Sequence, residues 1–144
     1  MILPDLNLLL YAYNPHAPQH ARARLWWEEA LNGRELIGLP HEVTMGFVRI
    51  ATHPRLGKAA ISLEAAVRTV SSWQAAAVLR VLLPKENHSQ QVFELLKASH
   101  ASGQLTSDAS LAIHAIENRA TLYSNDADFA RFPGLIWKNP LLEP

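Results

Sequence analysis

Several acids and one amide in this 144-residue chain stand where chemistry, rather than solubility, would put them. Asp5 and Asn7 interrupt an apolar opening, "MILPDLNLLLYAY"; Glu42 follows "GLP"; Asp108 opens "SDASLAIHAIEN"; Asp126, with Asp128 two residues on, follows "TLYS". Each address is a strand end or a helix start, not a solvated helix face. Carboxylates gathered from such positions repel one another unless a cation compensates. With no cysteine in the chain, oxygen ligands suit a hard divalent ion, Mg²⁺ or Mn²⁺. Such a site activates water and neutralises phosphate charge, which is metal-assisted phosphodiester hydrolysis. Asn7 adds an amide oxygen or holds a water on the ion.

Taken singly, the same acids have structural explanations. Aspartate at a helix start is the ordinary cap, and Glu42 in a first turn suits the helix dipole. Asp5 could end its strand in an Asx turn. Asp126 and Asp128 are two apart and do not share a helix face, so one of them is structural.

The elements that must position these groups alternate between strand and helix, the sign of a mostly parallel sheet covered by helices. Short apolar runs predict strands at 1–5, 35–39, 78–83, 121–124 and 135–137. Helices fall at 7–13, 17–32, 41–52, 63–74, 88–101, 107–119 and 126–131, with Gly and Pro punctuating the joints. Parallel strands bring their C-terminal ends to one edge, where ligands bind in open α/β sheets. "THPRLGKAA" reads as a mobile loop. On the helix over 17–32, Ala23, Trp27, Ala30 and Leu31 share one face; Trp26 points about 100° away from Trp27, so one indole is free to cover a partner.

Apolar residues make up 49% and charged ones 18% of the chain, which predicts one self-folding globular domain over 1–144. No apolar run is long enough to span a bilayer, and no basic segment precedes the opening stretch, so a soluble, cytoplasmic protein is expected. Thirteen basic residues balance thirteen acidic ones. That argues against nucleic-acid binding by bulk positive charge; a phosphate ligand needs a local patch or a cation.

Four blocks, "PDLNLLLYAY", "GLPHEVTMGFVRIATHP", "TSDASLAIHAIENRATLYSNDADFARFPGL" and "WKNPL", together resemble the PIN-domain ribonucleases, in particular the VapC-type toxins of toxin–antitoxin pairs. The resemblance runs over essentially the whole chain and implies an α/β three-layer fold with a mostly parallel central sheet. It implies a Mg²⁺- or Mn²⁺-dependent endoribonuclease, homodimeric and inhibited by a cognate antitoxin. Asp5, Glu42, Asp108 and Asp126 match the family's acidic quartet, with Asp5 and Asp108 as direct metal ligands. Asn7 matches its small polar residue, and Asp128 is an accessory acid. Two positions depart from the pattern: Asn125 stands where Ser or Thr is common, and Ser110 where a larger polar residue, often His, is common. Both departures are expected to bear on water positioning or RNA preference.

Other chemistries fit less well. Pro18 separates His16 from His20 and disfavours a zinc pair on one helix. The seven histidines take surface or packing roles, His41 beside Glu42 being the exception. Arg49, Arg55 and Lys58 are the candidate contacts to RNA phosphates, and the Trp26–Trp27 pair suggests an interface. Two competing functions remain: a catalytically weak RNA- or partner-binding module whose acids are caps, and a phosphatase with Asp5 as nucleophile. The second is disfavoured by Asn7, where such an enzyme would carry another acid.

Overall fold

The computed structural model describes residues 1–142; the last two positions of the domain expected over 1–144 lie outside the described residues. Five strands form one sheet: β1 (Ile2–Pro4), β2 (Ile37–Pro40), β3 (Leu79–Leu82), β4 (Thr121–Tyr123) and β5 (Trp137–Lys138). Among the described residues there are six α-helices: α1 (Leu6–Tyr13), α2 (His20–Asn32), α3 (His41–Ala51), α4 (Leu63–Gln74), α5 (His88–Ala98) and α6 (Thr106–Glu117). Tight 3₁₀ turns cover Pro54–Ala59, Gly103–Leu105 and Ala127–Arg131.

Every strand pairs in parallel, in the order β3-β2-β1-β4-β5, with Ile2 opposite both Ile37 and Thr121. The chain therefore winds outward from β1 to β3, then returns to the other side of β1 for β4 and β5. Right-handed crossovers put the helices of the first path on one face and α5 and α6 on the other. The packing agrees: α1 lies on α2 and α3, α3 on α4, and α5 on α6. The topological switch point is the crevice between the C-terminal ends of β1 and β4.

The central strands are apolar because both their faces are covered. Ile2–Pro4 and Ile37–Pro40 are buried throughout, while edge strand β3 exposes Arg80 and Val81. On one face the core is aromatic. Trp73 packs 4.7 Å from Phe47, 5.5 Å from Tyr13 and 5.6 Å from Trp27, and its indole N–H donates to the Tyr13 hydroxyl at 2.7 Å. The strands that lead into Asp5 and Glu42 end in proline, Pro4 and Pro40, where a missing N–H costs the ladder least.

Three expectations need correction. The second helix begins at His20 rather than 17, since Pro18 permits no regular helix through it. "THPRLGKAA" is not featureless: Pro54–Ala59 is a 3₁₀ segment, capped by the His53 ring and kinked at Gly57, whose φ of +56° with ψ of −121° is a combination that favours glycine. The Trp26–Trp27 pair is used within the chain. Trp27 is buried, and Trp26 lies 5.9 Å from it and 5.3 Å from Tyr123, so the covering indole roofs β4.

Candidate active site

Asp5 follows β1 directly. Its backbone N–H extends the ladder to the Tyr123 carbonyl at 2.8 Å, and its Oδ1 accepts from Leu6 N at 2.7 Å at the start of α1. Its other oxygen, Oδ2, accepts from the Ser124 hydroxyl at 2.6 Å, across a sequence separation of 119 residues. Ser124 is fully buried and also accepts from Asn7 Nδ2 at 3.2 Å and from the Asp126 N–H at 2.9 Å. One proton and two lone pairs are all a serine hydroxyl has, and all are used. Ser124 thus ties β1, α1 and the segment after β4 into one unit.

Asp108 lies in the first turn of α6 but caps nothing: its carboxylate has no hydrogen bond among the described residues. The capping explanation fails for it. Glu42, in the first turn of α3, turns its Oε1 to the Ser110 hydroxyl at 3.2 Å. One helical turn on, Gly46 lets α3 close on α1; a Cβ there would sit 2.7 Å from the Leu6 side chain. Asp5, Glu42, Ser107, Asp108 and Arg49 then line a single cleft of about 190 Å³.

The charges in this cleft oppose one another. Burial pushes the Asp5 carboxyl up to about 6; the Ser124 and Leu6 hydrogen bonds pull it back, and Asp108 and Asp126 add to the rise. Burial also raises Asp108, with further pushes from Asp126 and Asp128, and raises Glu42 against the Ser110 hydrogen bond. The donor chemistry fits a hard cation, because it is all oxygen and includes the buried, unpartnered Asn7 Oδ1. Among the described residues no group of three or more His, Asp or Glu is arranged to hold a metal ion. Magnesium needs less, since it keeps several waters and takes one or two carboxylates.

Asp126 is near enough to perturb both Asp5 and Asp108, yet its Oδ1 also caps the turn at Ala127–Arg131 by accepting from Asp128 N at 2.8 Å. Asp128 is exposed at the margin. Asn125 turns away, its Oδ1 accepting from Asn139 Nδ2 at 3.1 Å. The hydroxyl beside Asp5 belongs to Ser124, one position earlier. Of the three cations, Arg49 reaches the cleft, whereas Arg55 and Lys58 sit on the exposed 3₁₀ segment outside its lining. His41 is exposed; the histidines beside the site are His114, 3.5 Å from Glu42, and His88, 2.8 Å from Ser110. A larger cleft of about 270 Å³ near His20 and Trp27 has one acid, Glu28, already paired with Arg24 at 2.7 Å.

The PIN domain family model matches residues 2–135. Ribonuclease VapC33 of Mycobacterium tuberculosis is 40% identical over 143 residues, covering 99% of this chain and all of that protein. Ribonuclease VapC37 of the same species is 34% identical over 97% of both chains. In fold, the chain resembles a toxin–antitoxin complex from Klebsiella pneumoniae, with a TM-score of 0.64 at 15% identity, covering 97% of this chain and 98% of that one. A parallel sheet with its acids at the β1–β4 crevice, and relatives matched end to end, place this chain in the PIN-domain family, among the VapC ribonucleases.

Proposed function

We propose that this chain is a divalent-metal-dependent endoribonuclease, the toxin of a toxin–antitoxin pair. One observation carries the reading: a buried Asp5 carboxylate faces Asp108 and Asp126 at the switch point of the sheet, with Asp108 free of any structural hydrogen bond. Asp5 and Asp108 would hold Mg²⁺ or Mn²⁺ directly, with Glu42 and Asp126 completing the shell and Asn7 Oδ1 facing it. Bound there, the ion supplies Lewis acidity that lowers the pKa of a water and offsets phosphate charge. Ser124 and the Leu6 N–H, one on each oxygen, fix the orientation of the Asp5 carboxylate. Asp128 adds negative potential at the margin.

Arg49 has no ion pair or hydrogen bond among the described residues and is left to take an RNA phosphate at the mouth of the cleft. Arg49→Ala is expected to raise KM several-fold with kcat nearly unchanged, and to flatten the salt dependence of RNA binding by about 0.7 in log–log slope. An unaltered KM and slope would remove Arg49 from the RNA path.

Asp108→Asn tests the proposal most cleanly, because it deletes a charge without breaking a bond. Cleavage of single-stranded RNA should fall about 100-fold or more while the circular dichroism spectrum stays the same. The competing reading, an RNA- or partner-binding module with weak catalysis, draws on the capping bonds of Asp5 and Asp126. It predicts unchanged cleavage in that variant.

A cognate antitoxin, a homodimer and cytoplasmic residence complete the proposal. Exposed Leu25, Leu63 and Phe93 offer apolar surface to protein partners, and among the described residues no helix is long and apolar enough to cross a membrane.

A further inference from the structure

A polar cluster behind Glu42 is used by nothing described so far. Ser110 and His114 lie one turn apart on α6, and His88 enters from the first turn of α5. The Ser110 hydroxyl donates to Glu42 Oε1 at 3.2 Å and stands 2.8 Å from His88 Nε2. His114 Nε2 lies 3.5 Å from the same Glu42 oxygen, and the two imidazoles stack with centroids 4.5 Å apart.

The proton positions follow from counting. Ser110 has spent its one proton on Glu42, so it must accept from His88, which places a proton on His88 Nε2. Nδ1 of His88 and Nδ1 of His114 are both buried without a partner. A proton on either would be an orphaned buried donor, which costs more than an idle lone pair. Both rings therefore carry their proton on Nε2, which in His114 is the nitrogen nearer Glu42. One hydrogen-bond line, His88 through Ser110, ends on Glu42 Oε1, and His114 Nε2 stands 3.5 Å from the same oxygen. Oε2 has no hydrogen bond among the described residues.

We propose that His88, Ser110 and His114 are positioning residues that hold Glu42 Oε1, leaving Oε2 alone to face the cleft. The small serine at 110 is what makes room for His88 to join from the neighbouring helix. The proposal rests on the ribonuclease reading only for the use to which Glu42 is put; the hydrogen-bond relay has its own readout.

¹⁵N-histidine NMR of the wild-type chain should show His88 and His114 as Nε2–H tautomers. Ser110→Ala should shift the His88 Nε2 signal and lower kcat about 10-fold at unchanged KM, the usual scale for a group that orients a metal-site ligand. Ser110→Thr, which keeps the hydroxyl, should restore both. His88→Gln, which keeps an N–H at similar reach, should retain activity, and Ser110→Ala with His88→Ala should be no worse than either alone. An Nδ1–H tautomer at either ring, wild-type kcat in Ser110→Ala, or a Ser110→Thr variant as slow as Ser110→Ala overturns the proposal. Failure of the ribonuclease reading looks different: Asp108→Asn would cleave normally, while the histidine spectrum would still decide the relay.

Discussion

Replacing Asp5 by Asn is expected to abolish RNA cleavage and, in the presence of chelator, to make the fold more stable at pH 7. Burial holds the native carboxyl at about 6 against an ordinary 3.8. Between those values the native state keeps a proton that the unfolded chain has released, so stability falls as pH rises through the window. Above it, keeping the carboxylate charged costs about 3 kcal/mol, roughly two pK units at 1.36 kcal/mol each. Asparagine carries no such charge, but it weakens the bonds to Ser124 and Leu6. A net gain of about 1–2 kcal/mol should remain at pH 7 and vanish below pH 4. A pure cap predicts the opposite sign, a loss of about 1 kcal/mol.

His114 sharpens the test. Burial and the neighbouring His88 lower its pKa to about 4 from an ordinary 6.5. Below 6.5 the unfolded chain takes up a proton that the native ring refuses, so this group loses stability as pH falls. In the wild type the two trends oppose each other and flatten the curve; Asp5→Asn should expose the acid-side fall. Urea denaturation at pH 4, 5.5 and 7 measures all of this. A variant less stable than wild type at pH 7 would return Asp5 to the role of turn former.

The second large effect concerns the cation. EDTA should end cleavage, and added Mg²⁺ or Mn²⁺ should restore it, because Asp5, Asp108 and Asp126 repel one another until a positive charge sits among them. The same ion should stabilise the native state by about 2.7 kcal/mol at a hundred times its Kd, a rise in Tm of roughly 8 °C for a domain of this size. Asp108→Asn should lose most of that rise. Full activity in EDTA would sink metal dependence.

The elements were largely readable in the sequence because each strand is a short apolar run closed by Pro, Gly or a polar pair. Parallel pairing of those strands is enough to bring the acids to one edge. Ser124 is not legible in the sequence, because a serine after a strand looks like any turn residue; its role depends on β4 lying beside β1, which no local pattern encodes. One signal was present: Ser124 shares the inward parity of Leu122, and both are fully buried, whereas Asn125 falls on the other side. His114 was visible at helical spacing from Ser110, but its neighbour His88 arrives through the packing of α5 on α6. Trp26 shows the limit from the other direction: helical geometry separated it from Trp27, yet the surface it covers belongs to the chain's own Tyr123.

The placement of β1 at the middle of the sheet also sets when this site can exist. Asp5 leaves the ribosome well ahead of the hydroxyl that orients it, which is 119 positions behind. At roughly 5–20 residues per second, that interval lasts on the order of 6–24 seconds. Throughout it, the first strand has no β4 to pair with and the cleft lacks an edge. The cleft can therefore assemble only after β4 and Ser124 have been made, however early Asp5 emerges.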